Sequence, residues 1–143
     1  IEAAAANAAP NQFVGRAMKV AKEEIIGLIT ALRIFVQEDE EAETRRYREM
    51  CQSVVDALIE VPGLKLAVEH DEYNYPVPTA VMTFTSEWGG SARDQVLENM
   101  ASGDPPVSLH QLGNPDELAV EPINLDEREL QKVIDRLCQE LLS

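Results

Sequence analysis

Near the start of the chain, Arg16 and Lys19 follow Gly15 in "NQFVGRAMKVAKEE", and Lys22 opens the segment behind them. Cations beside a glycine, just ahead of a helix N-terminus, can hold a phosphate or a carboxylate together with unpaired backbone N–H groups. The plainer reading is that they pair with some of the chain's 26 acidic residues. From the residues alone, that reading prevails. The imidazoles are His70 and His110. His70 sits at a strand end among acids and reads as a surface residue. His110 follows Leu109 in a short alternating run; a polar-face residue is the plain reading and a substrate contact the sharper one. Two histidines fall short of a zinc set. Cys51 and Cys138 are far apart, lie on apolar sides of helical patterns and form no C-x-x-C, so each reads as a lone buried thiol. No G-x-S-x-G, phosphate-binding Gly-rich loop or EF-hand spacing is present. The residues therefore give no catalytic group and no metal site.

The elements that would have to position these residues follow from periodicity. "IEAAAANAA" reads as one or two helical turns ended by Pro10, and residues 11–20 as loop. A helix is predicted from Lys22 to about Glu38, with Glu23 and Glu24 suited to the positive end of its dipole. It is apolar on more than one face, through Ile25, Ile26, Leu28, Ile29, Leu32, Ile34, Phe35 and Val36. The charge run "QEDEEAETRR" reads as a solvated turn leading to a second helix, about Glu41 to Glu60. Pro62-Gly63 turns the chain into a strand carrying Leu64, Leu66 and Val68; "DEYNYPVP" is loop, and Thr79 to Thr85 is a second strand. Ser91 with Asp94 resembles a capping box for a short helix. "SGDPP" ends that helix, Val107 with Leu109 marks a third strand, and Leu118 with Val120 a fourth. Asn124 with Glu127 is read as the cap of the last helix, whose apolar face holds Leu130, Val133, Ile134, Leu137 and Leu141. Trp88 lies in a loop, as a surface contact or as a residue that packs on a partner lobe. The order α-α-β-β-α-β-β-α implies an α+β fold with a small, mostly antiparallel sheet covered by helices.

Bulk properties narrow the partners. The chain has 143 residues and a formal net charge of -14, and is 45% hydrophobic. That is enough for one domain or one lobe of something larger. The charge repels nucleic-acid backbones and anionic membranes, so neither is expected as a partner. The absence of a disulfide framework and of a long apolar span makes a cytoplasmic setting the expectation. The chain opens on Ile1 rather than methionine and is read as processed or as a piece of a longer polypeptide.

The first motif carries a resemblance. The segment "EAAAANAAPNQFVGRAMKVAKEEIIGLITAL" is similar to the stretch that enters the C-terminal domain in a family of pyridoxal-phosphate enzymes. That family includes the selenocysteine synthases and the glucosaminate-6-phosphate ammonia-lyases. Its "NxxxGRxMKVxKEEIxGLxxAL" pattern is matched at Asn11, Gly15, Arg16, Met18, Lys19, Val20, Lys22, Glu23, Glu24, Ile25, Gly27, Leu28, Ala31 and Leu32. Turns similar to "IPGL" and "GDPPV" are matched at Val61 to Leu64 and Gly103 to Val107. The resemblance implies an aspartate-aminotransferase-like (fold type I) enzyme, with this chain as its small C-terminal domain. Residues 1–21 would be the lead-in from a missing N-terminal large domain, and residues 22–143 the small α+β domain. It further implies a homodimer or other homo-oligomer, and a transferase or lyase acting on an amino acid or amino sugar.

The family's Schiff-base lysine lies upstream of this region, and none of Lys19, Lys22, Lys65 and Lys132 stands in a matching context. Pyridoxal 5'-phosphate is therefore expected in the full-length parent and not in this chain, which is expected to be inactive by itself. Arg16, Lys19 and His110 are the candidates for residues near cofactor or substrate in the parent. The family often has arginine in the strand after the "PP" turn, where this chain has His110 and Gln111. The alternative is a free-standing acidic α+β binding or protein-interaction module without catalysis.

Overall fold

The computed structural model describes residues 1–8, 20–111 and 114–142. It divides into two compact units, Ile1–Asp39 and Glu40–Ser143.

The first unit holds α1 (Glu2–Asn7) and α2 (Lys22–Phe35). Glu24, at the third position of α2, turns back to accept the backbone N–H of Ala21 at 2.6 Å. That bond satisfies one of the donors that a helix start leaves orphaned. α2 stops at Phe35, three residues before the predicted end, where 3-10-type bonds from Gln37 N to Ile34 O and Glu38 N to Phe35 O replace the α pattern. No residue of α2 is buried, and apolar side chains as large as Phe35 and Val36 are more than two-thirds exposed (68% and 75%).

The second unit runs α3 (Glu40–Leu58), β1 (Leu64–Glu69), β2 (Thr79–Phe84), α4 (Arg93–Ser102), β3 (His110–Gln111), β4 (Glu117–Val120), a 3-10 turn (Pro122–Asn124) and α5 (Glu127–Leu141). The strands form one antiparallel sheet in the order β1-β2-β4-β3. The expected α+β fold, with a small antiparallel sheet covered by helices, is what the structure has. Alternation along the strands sends Ala80, Met82, Phe84, Leu118 and Val120 into one core with Met50, Val54 and Leu58 of α3, Val96 and Met100 of α4, and Leu130, Val133 and Leu137 of α5. All three helices therefore cover the same face. Each such side chain contributes about 1.5–3 kcal/mol through lost water contact.

Three local expectations are corrected. The Ser91–Asp94 capping box does not form: α4 begins at Arg93 behind Ala92 with no side-chain cap. The Ser91 carbonyl instead accepts the Trp88 indole N–H at 2.8 Å, which keeps Ser91 in the preceding loop. The cap of α5 is Asp126 with Glu129, not Asn124 with Glu127. Asp126 accepts the N–H groups of Arg128 and Glu129 at 2.8 Å each, while Asn124 is taken up by the 3-10 turn that Pro122 starts. Val107 and Leu109 are buried, but neither is in the third strand, which begins only at His110. Val107 N is tied to Met100 O at the end of α4 (2.9 Å) rather than to β4.

The loop residue Trp88 is a packing residue. Its ring meets Phe84 edge to face, with centroids 5.5 Å apart and planes at 80°. Gly103, in the "GDPP" turn, lacks a side chain because the Arg136 guanidinium fills the space a Cβ would take; Arg136 Nη2 donates to Asn99 O at 3.2 Å.

Candidate functional site

The three helices pack on one face of the sheet; on the opposite face Thr79, Val81 and Ala119 are buried as well, while Lys65, Glu69 and His110 are exposed. Antiparallel register places Ala67, Val81, Ala119 and His110 in one row across that face. The neighbouring rows are Lys65–Thr83–Glu117 and Glu69–Thr79. Polar side chains of Lys65, Glu69, Thr79, Thr83 and Glu117 thus flank a central row in which Ala67, Val81 and Ala119 are apolar.

At the β3 edge, His110 Nδ1 lies 3.7 Å from Glu121 Oε2. His110 keeps half of its side chain exposed (51%), so the pair stands open to a ligand. At that distance the pair is an electrostatic contact rather than a hydrogen bond, and either ring nitrogen remains available to meet a ligand oxygen. His110 stands between two clefts. One, of about 360 Å³, runs past Ser108, Glu121 and Asn124. The other, of about 530 Å³, is lined by His110, Gln111, Asn114, Glu117 and the tyrosine loop.

That loop, residues 70–78, is folded by Asp71. Its Oδ1 accepts the N–H groups of Tyr73 and Asn74 at 2.8 Å each, and its own N–H donates to Tyr75 O at 2.9 Å. These backbone donors, Asn74 first and then Tyr73, hold the Asp71 carboxyl below its ordinary pKa. The loop sets Tyr75 among carboxylates. Desolvation first, then the charges of Glu117, Glu69 and Asp71, push the Tyr75 phenol above its ordinary pKa and keep it a neutral donor. Glu117 Oε1 accepts the Thr83 hydroxyl at 3.4 Å, which fixes the carboxylate on the sheet.

Of the residues predicted for the site, His110 is placed as a half-exposed edge residue beside Glu121. Arg16 and Lys19 lie outside the described residues. Glu121, Glu117, Tyr73 and Tyr75 were not singled out from the sequence. Two tyrosines separated by one residue in a loop rimmed by acids were the available signal. His70 is exposed, with Nδ1 3.2 Å from Arg48 Nη2. Among the described residues no group of three or more His, Cys, Asp or Glu is placed to hold a metal ion. Nor is any described helix long and apolar enough to cross a membrane.

The cysteines sit away from the clefts. Cys51 is buried, and its thiol donates to Pro78 O at 3.2 Å. Burial pushes the thiol up to about 11, against the weaker opposing pull of the Ala80 backbone and Arg48. Roughly one Cys51 in a thousand is then thiolate at pH 8, and the thiolate is the reacting form. Iodoacetamide at that pH should leave Cys51 unmodified in the native chain and modify it fully in denaturant, read by peptide mass mapping. Rapid native alkylation would contradict the burial.

No family model matches the chain. A curated protein from Streptomyces sp, described as 5'-C-glycyluridine monooxygenase-decarboxylase, is 28% identical over 133 residues, which is 90% of this chain and 32% of that protein. A solved structure of D-glucosaminate-6-phosphate ammonia-lyase superposes with a TM-score of 0.67 at 24% identity, over 92% of this chain and 35% of that one. The chain thus spans about a third of each protein it matches. The expected resemblance to the glucosaminate-6-phosphate ammonia-lyases holds at the level of the fold.

Proposed function

We propose that residues 22–143 form the small C-terminal domain of a pyridoxal-phosphate-dependent lyase or transferase acting on an amino acid or amino sugar. Residues 1–21 lead in from a large domain that carries the cofactor. The observation that carries this reading is the asymmetric fold match, which takes in 92% of this chain but only 35% of the ammonia-lyase chain. The substrate in the Streptomyces relative's description, a glycyl group carried on uridine, is itself an amino-acid derivative. The exposed apolar surface of α2 suits a lobe that packs on a larger protein and assembles as a homo-oligomer, since a helix apolar nearly all round is normally covered.

Pyridoxal phosphate supplies an electron sink for carbanion chemistry at an amino acid's α-carbon. A lysine that anchors it has to be enclosed with the ring and its phosphate. None of Lys19, Lys22, Lys65 and Lys132 stands in a sequence context matching the family's Schiff-base lysine. The anchor is therefore assigned to the rest of the parent. What this domain contributes is a substrate-facing surface, with His110, steadied by Glu121, donating to a substrate oxygen. Arg16 and Lys19 supply the cations nearer the domain junction.

The test is borohydride reduction of the complete gene product. A visible imine absorption band should disappear on reduction, and mass mapping should find the pyridoxyl group on a lysine outside these 143 residues. Absence of the band, or a pyridoxyl group on Lys19, Lys22, Lys65 or Lys132, would overturn the reading and favour a binding module without catalysis.

A further inference from the structure

The larger of the two clefts beside His110 has a distinct chemistry. Its lining includes the phenols of Tyr73 and Tyr75, the amides of Asn74 and Asn114, and the carboxylate of Glu117. Among the described residues no lysine or arginine lines it. We propose that this cleft, between the β3 edge of the sheet and the tyrosine loop, binds an uncharged pyrimidine nucleoside portion of the substrate, with a uracil-like imide edge. The proposal deepens the enzyme reading above and rests on it, because it assigns the part of the substrate remote from the reacting amino group.

The argument is one of complementarity. A uracil edge carries one N–H donor between two carbonyl acceptors. Glu117 is an acceptor only, and it is anchored by Thr83, so it suits the central N–H. Side-chain amides and neutral phenols donate, and suit the flanking carbonyls. Tyr75 is held in its donor form by burial and by the surrounding carboxylates. The largely exposed Tyr73 (86%) offers a ring face on which a base can stack. A cleft of about 530 Å³ accommodates a base with its sugar.

The same groups disfavour a nucleotide. Glu117, Glu69 and Asp71 all act on Tyr75, so the local field is negative, and among the described residues no lining cation offsets a phosphate. The ligand is thus a nucleoside rather than its phosphate. His110, on the rim of this cleft, would then lie between the base subsite and the reacting end of the substrate.

The experiment uses the complete gene product with uridine and uridine 5'-phosphate as probes, titrated by calorimetry, with the visible cofactor band recorded on the same samples. Uridine should bind saturably and more tightly than its phosphate. Glu117→Gln, which keeps shape and removes the acceptor-only carboxylate, should weaken uridine about tenfold, the scale of one lost charged hydrogen bond. Tyr73→Ala, at a mostly exposed loop position that should not disturb folding, should weaken it several-fold by loss of stacking. Neither variant should alter the band. No saturable uridine binding, equal or tighter binding of the phosphate, or unchanged affinity in both variants would overturn the proposal. A cofactor band without uridine binding sinks this inference alone; uridine binding without a band sinks the enzyme reading alone.

Discussion

Gly63→Ala should lower the unfolding free energy of the chain by about 3 kcal/mol, through two effects that add at one atom. Gly63 has φ +79, a backbone conformation that costs an L-residue about 1 kcal/mol or more. The added Cβ would also point into the backbone N and Cα of Trp88, which cannot swing aside as a long side chain can. Trp88 is fixed on both sides: its N–H reaches Thr85 O at 3.0 Å, and its ring packs on Phe84. Thr85 returns to Gly63, with both its N–H and its hydroxyl donating to Gly63 O at 2.9 Å. Alanine therefore has to break this closure or force the β1–β2 end apart. Urea unfolding should show a lower midpoint at unchanged slope. Gly89→Ala is the control, since nothing lies within 4 Å of its Cβ position, and it should stay within about 0.5 kcal/mol. Equal midpoints for the two variants would contradict the packing argument.

The "VPGL" turn could be read from the sequence because proline and glycine there do local work. What could not be read was that Gly63 also clears space for Trp88, a residue far along the chain. The same division runs through the rest of the fold. β2 was legible as a β-branched, apolar run, which fits a strand buried on both faces, and α5 from the helical spacing of its one buried face. The caps were not, because "N-x-x-E" and "D-x-x-E" both occur at the start of α5 and either satisfies the local rule. Pro122 decides between them by starting a 3-10 turn that uses up Asn124.

In the site, His110 was legible as a strand residue in the segment after the proline pair. Its partner Glu121 was not, because only the β3–β4 pairing brings the two together. Tyr75 and Glu117 likewise meet only once the loop between β1 and β2 is folded beside the sheet. The sequence names residue types, whereas juxtaposition across strands is a property of register.

Register is also why Leu118→Ala should be the most damaging core substitution for the site. Leu118 is fully buried (0% exposed), in a strand paired on both sides, opposite Met82 of β2 and Gln111 of β3. Removing its isobutyl group takes away apolar burial and leaves a cavity that a paired strand cannot collapse to fill, at about 3 to 4 kcal/mol. Ile123→Ala, at a position 49% exposed, should cost about 1 kcal/mol or less. The consequence extends to the other face of the sheet. β4 sends Leu118 to the helix-covered face, while Ala119, also buried, points to the opposite face in the row that holds His110, with Glu117 in the row beside it. Loosening the strand therefore blurs the position of Glu117 and weakens the pairing that sets His110 opposite Ala119. Amide hydrogen exchange should accelerate in β4 and β3 more than at the β1–β2 end. A variant with the parent's urea midpoint and unchanged exchange in β3 and β4 would mean that the face carrying His110 and Glu117 is held by something other than the core beneath it.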